Sequence, residues 1–169
     1  MANTYTLISS NTVGAGGASS VTFSSIPQTY TDLLVKVSTR NTNSSGSKVI
    51  LNPNAVTSGF SGKTLLGDGA TASSGATTTN GYQAGLVIST YTANVFGNAE
   101  FYIPNYALAS TVKSVSVDSV TENNAATAET QLNGGKSGSM AAFTSITLQP
   151  DANNFAQYST FYLYGIKNS

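Results

Sequence analysis

Cysteine, histidine and tryptophan are all missing from this chain of 169 residues. Without cysteine there is no disulfide, no thiol nucleophile and no thiolate-held zinc, so packing and backbone pairing must carry stability. Without histidine the commonest general base and metal ligand is gone, and a serine nucleophile lacks its usual activator. No Gly-x-Ser-x-Gly elbow occurs either. Charge is scarce: seven basic and seven acidic residues cancel, and together they make up 8% of the chain. With no basic stripe to track phosphates, nucleic acid is not an expected partner. No apolar run approaches the roughly 18 residues of a membrane-spanning helix, so no membrane role is expected. The start "MANTYTLISS" has neither the basic opening nor the continuous apolar centre of a secretion signal, which points to synthesis and folding in the cytoplasm.

What is present is short and strand-like. Hydrophobic residues reach 40%, serine and threonine fill 47 positions, and asparagine fills 16. The length suits one domain, residues 1–169, with residues 1–20 as a candidate extended N-terminal arm. Ten stretches of alternating or compact apolar residues, each bounded by Ser, Asn, Gly or Pro, run from "TYTLISS" to "STFYLYGIK". In "DLLVKVSTR" Leu33, Val35 and Val37 share one face, while Leu34, Lys36 and Ser38 share the other. In "VKSVSVDSV" Val115 and Val117 alternate with Ser114, Ser116 and Asp118. Such patterning predicts an all-β fold, an antiparallel β-sandwich or jelly roll of about eight to ten strands. Residues 123–132 read either as a short helix, from an Asn start to a Gly stop, or as a strand through Ala126, Ala128, Thr130 and Leu132; the strand is preferred. "GAGGASS", "NTNSSGS", "GDGATASSGATTTNG" and "NGGKSGS" read as loops.

Chemical motifs are few. Gly62-Lys63-Thr64 matches the end of a phosphate-binding loop, but Thr57 stands where the pattern needs glycine and "LLGDGATASSG" cannot form the helix that must follow. The expected alternative is a turn into a short strand. "GAGGASS" lacks the third glycine of a dinucleotide fingerprint and reads as a connection between strands. No cofactor is implied. Asp118, Glu122 and Asn123 are candidate calcium ligands, with solvated turn residues as the default alternative. Asp118 and Glu122 also form the nearest approach to a catalytic carboxylate pair.

Aromatic residues are the informative class, nine tyrosines and seven phenylalanines. On a strand, tyrosine offers flat area and a polar tip, suited equally to a core edge, a partner surface or a sugar ring. In "YSTFYLYGIKNS" Phe161 and Leu163 fall on one face, with Tyr162, Tyr164 and Ile166 on the other. That strand therefore lies either between two layers or with its outer face on another chain. Tyr102, Tyr106, Tyr158, Tyr162, Tyr164 and Ile166 are the candidate subunit or partner interface.

Three segments carry a resemblance: Ser-Ile-Pro-Gln-Thr-Tyr-Thr-Asp-Leu at Ser25 to Leu33, Tyr-Ile-Pro-Asn-Tyr at Tyr102 to Tyr106, and Gln-Tyr-Ser-Thr with Leu-Tyr-Gly-Ile at the close. With "LLGDGATASSG" and "SVDSVTENN", they resemble a group of small virion structural proteins of tailed bacteriophages, above all marine and cyanobacterial ones. The similarity runs nearly end to end. It implies a place, the virion, and carries over no catalytic residue. Combined with the strand-rich composition and the missing catalytic toolkit, it leads to the expectation of a non-enzymatic capsid decoration protein on the exterior of the shell. Its expected partners are the major capsid protein and copies of itself, with a homotrimer favoured. A tail-fibre or receptor-binding lobe recognising host glycan is the first alternative, and a jelly-roll polysaccharide-degrading enzyme the second.

Overall fold

The structure, a computed structural model, describes residues 4–44, 48–121, 128–139 and 141–167. Among these no helix forms. The strands are β1 (Tyr5–Thr12), β2 (Val21–Phe23), β3 (Asp32–Thr39), β4 (Lys48–Pro53), β5 (Phe60–Gly67) and β6 (Ala72–Thr79), then β7 (Tyr82–Gly85), β8 (Gly97–Pro104), β9 (Ser114–Thr121), β10 (Glu129–Lys136), β11 (Ile146–Pro150) and β12 (Thr160–Ile166). They build an eight-stranded sheet in the order β1-β12-β3-β8-β9-β10-β5-β6 and a four-stranded sheet in the order β2-β11-β4-β7. Every strand ladder is antiparallel. The fold is an antiparallel β-sandwich.

The period-two pattern decides which residues fill the space between the sheets. Leu33, Val35 and Val37 of β3, Phe101 and Ile103 of β8, Val115 and Val117 of β9, and Phe161 and Leu163 of β12 all point inward and are buried. Val21, Phe23, Val49, Leu51, Ala84, Ile146 and Leu148 of the smaller sheet meet them. Each Val, Leu, Ile or Phe among them contributes about 1.5–3 kcal/mol of burial. Phe155 packs edge-on to Phe161 at 4.8 Å, and Phe60 edge-on to Tyr82 at 5.1 Å.

Two stretches read as loops are strands. The small polar run after Gly67 turns back at Asp68, whose carboxylate accepts the N–H groups of Ala70 (2.9 Å) and Thr71 (2.6 Å), and continues as β6 in full register with β5. Because β6 lies beyond the smaller sheet, with Ala72 to Ala76 exposed, nothing selects apolar residues there. Asn133 to Lys136 belong to β10. A Cβ on Gly135 would sit 3.0 Å from the Tyr82 ring, so the glycine admits that ring rather than making a turn. Of the stretch read as helix or strand, Thr130 and Leu132 lie on β10, Ala128 just precedes it, and residues 123–127 lie outside the described residues. Gly62-Lys63-Thr64 sits inside β5, paired to β10 and β6, neither a phosphate-binding loop nor a turn.

Two cations are built into loops. The Arg40 guanidinium donates to the carbonyls of Ser89, Tyr91, Thr92 and Val95 at 2.8–3.0 Å, holding the segment between β7 and β8. Lys113 is buried, donating to the carbonyls of Thr111 (2.6 Å) and Leu108. Both pKa values are lowered by desolvation.

Candidate functional site

The smaller sheet covers one face of the larger. The opposite face presents its side chains outward, and ladder register sets them in rows. Tyr162 stands opposite Lys36, Lys36 opposite Glu100, Glu100 opposite Asp118, and Asp118 opposite Leu132. One step along, Leu7 stands opposite Tyr164, Tyr164 opposite Leu34, and Leu34 opposite Tyr102. Neighbouring strands lie about 4.8 Å apart, so Tyr164 and Tyr102 flank Leu34 across roughly 10 Å. Tyr5 closes the far end of this slot, at 57% exposure against 38% for Tyr102 and 37% for Tyr162.

Lys36 Nζ lies 2.6 Å from Glu100 Oε2, with the two side chains 50% and 40% exposed. The hydrogen bond and the negative charge of Glu100 raise the Lys36 pKa, so the ammonium is retained. Tyr162 and Tyr164 stack at 6.4 Å with their planes 25° apart. A groove of about 340 Å³ is lined by Tyr5, Leu34, Lys36, Glu100 and Tyr164. It borders a second of about 390 Å³ toward Asn98 and Thr160, and a third of about 310 Å³ toward Tyr102, Asp118 and Leu132.

Tyr102 is fixed from below. Its hydroxyl donates to Asp32 Oδ2 at 2.7 Å, and the other oxygen of that buried carboxylate accepts the Asn105 N–H at 2.9 Å. Asn105 takes a left-handed backbone (φ 53°), turning the chain so that Tyr106 drops into the core. There the Tyr106 hydroxyl donates to the Pro27 carbonyl. Tyr30 lies against Gly165, where a Cβ would collide with its ring, and the Thr31 N–H donates to the Ile166 carbonyl at 2.8 Å. Of the segments quoted for the resemblance, Ser25 to Leu33, Tyr102 to Tyr106 and the closing Leu163 to Ile166 thus meet at one end of the larger sheet, while Gln157 to Thr160 lies at the other end of β12.

This arrangement sorts the candidate interface residues. Tyr102, Tyr162 and Tyr164 come together on the open face, joined by Tyr5, Leu34, Lys36 and Glu100. Tyr106 is wholly buried and Ile166 nearly so, which makes both of them packing residues. Tyr158 is well exposed, but on the turn before β12, at a left-handed position (φ 70°) with its N–H donating to Val13. Asp118 sits on the open face; Glu122 and Asn123 lie outside the described residues. Among the described residues no three acidic side chains gather as a metal site. Lys36 was visible in the sequence as an outward residue of β3, but its pairing with Glu100 depends on a register that one chain's pattern does not reveal.

Fold and site define the class: a β-sandwich with one open, tyrosine-bearing sheet face. Comparison with known protein families, curated proteins and solved structures finds no match to this chain.

Proposed function

We propose that the chain is a non-enzymatic structural protein of a tailed-bacteriophage virion, a decoration protein on the capsid exterior. In this reading it acts as a homotrimer bound to the major capsid protein, with jelly-roll wiring of its sandwich. The observation that carries the assembly reading is the pair of edges of the eight-stranded sheet. β1 and β6 are each eight residues long, and neither holds a charged residue or a proline. Soluble monomers usually blunt such edges with lysine, proline or short strands, because an open row of N–H and C=O groups templates pairing with another chain. The register shift between Leu7 and Ser9 is the one such device on β1. The virion as the place rests on the resemblance in the sequence.

Four of the seven carboxylates are each engaged in a structural contact, which supports a non-catalytic role; Asp118, which stands opposite Glu100, is not among them. Asp32 holds Tyr102 and Asn105, Asp68 closes its own turn, Glu100 pairs with Lys36, and Asp151 accepts the Lys48 N–H at 3.2 Å. Mixing purified protein with undecorated capsids tests the proposal. Co-sedimentation at fixed stoichiometry is expected; protein left entirely in the supernatant rejects decoration.

A further inference from the structure

Beyond assembly, we infer that the slot over Leu34, between Tyr5, Tyr164 and the Lys36–Glu100 pair on the open sheet face, binds a neutral oligosaccharide. Two kinds of recognition converge there. The rings of Tyr164 and Tyr5 stand around a floor made by Leu34, with Tyr162 stacked on Tyr164 in the adjoining groove, giving flat apolar surface for the C–H face of a pyranose ring. Beside it, Lys36 Nζ and Glu100 Oε2 place a donor and an acceptor 2.6 Å apart, both partly open to solvent. Adjacent hydroxyls of a sugar match that pair: one accepts from the ammonium while its neighbour donates to the carboxylate.

The charges choose among occupants. Lys36 and Glu100 cancel, and Asp118 stands opposite Glu100, so the slot carries a net negative charge that disfavours sulfated, phosphorylated or acidic glycans. A protein face laid over the slot would strip water from Lys36 and Glu100 and return few hydrogen bonds, a cost that a polyol avoids. The latch from Tyr102 to Asp32 fixes a ring of the adjoining groove, which shares Glu100 with the slot, before any ligand arrives. The neighbouring grooves toward Asn98 and Asp118 continue the track for further sugar units.

The full chain, titrated by calorimetry and ligand-observed NMR with maltohexaose, cellohexaose, xylohexaose and mannohexaose after a glycan-array screen, tests this. Millimolar or tighter binding to at least one neutral glycan is expected. Tyr164→Ala and Lys36→Ala should each weaken it about tenfold, and Tyr164→Phe, which keeps the ring, by no more than about twofold. Leu65→Ser, on β5 at the other end of the same face, should leave binding unchanged. Absence of binding throughout overturns the inference, and so does binding that survives Tyr164→Ala and Lys36→Ala. Loss of oligomeric state in Tyr164→Ala with no sugar bound would make this a subunit face instead. Capsid co-sedimentation is measured separately, so either proposal can fail alone.

Discussion

At Tyr102 a single hydrogen bond ties an exposed ring of the open face to a buried carboxylate at its end. Its donation to Asp32, reinforced by burial and by the negative charge, pushes the phenol from 10.0 up to about 12. The folded state therefore favours the protonated phenol. That contribution is complete below about pH 10, where the unfolded chain's tyrosine is also protonated, and is lost as pH rises toward about 12. Tyr102→Phe should cost about 1 kcal/mol near neutral pH, and the cost should shrink steadily above about pH 10. Urea unfolding of both proteins across that range checks it. A cost that stays constant with pH would mean that the hydroxyl does not latch Asp32.

Among the elements, β12 answers the question its own sequence posed. It lies between β1 and β3, with Phe161 and Leu163 in the core and Tyr162 and Tyr164 on the open face. Phe161→Ala should cost about 3–5 kcal/mol by opening a cavity, whereas Tyr162→Ala should cost less than about 1 kcal/mol. Chemical denaturation of the two variants measures the contrast. Strands such as β3, β9 and β12 were legible because one face meets a core and the other does not, which writes period two into the residues. β6 and the second half of β10 were not. From Ala72 to Ala76 β6 is exposed, so its sequence there records only what an exposed edge tolerates. At β10 the demand is for room: Gly135 yields to Tyr82, and buried Asn133 donates to the Gln83 carbonyl at 2.9 Å, so a strand there looks like a turn.

For the whole molecule the decisive feature is the width of the larger sheet, twice the strand count of its partner. The tyrosines of the site could be read from the chain, but their grouping could not. Tyr106 shares a five-residue segment with Tyr102 yet turns inward, because Asn105 reverses the backbone between them. The proposed assembly, an oligomer joined through the edges, gives a direct expectation. Ser73→Lys combined with Ser74→Lys on β6 should convert the oligomer to monomer in light scattering, while changing folding stability by less than about 0.5 kcal/mol, as surface substitutions usually do. An unchanged mass would move the subunit contact away from β6.

The same uncharged rims have a practical side. Neither β1 nor β6 contains lysine or arginine, and none occurs between Lys63 and Lys113, which is itself buried. Trypsin-like proteases, which cut after basic side chains, meet no cleavable bond from mid-β5 through β8. On the proposed reading, a protein on the outside of a particle would keep the exposed run Ala72 to Ala76 intact under such digestion.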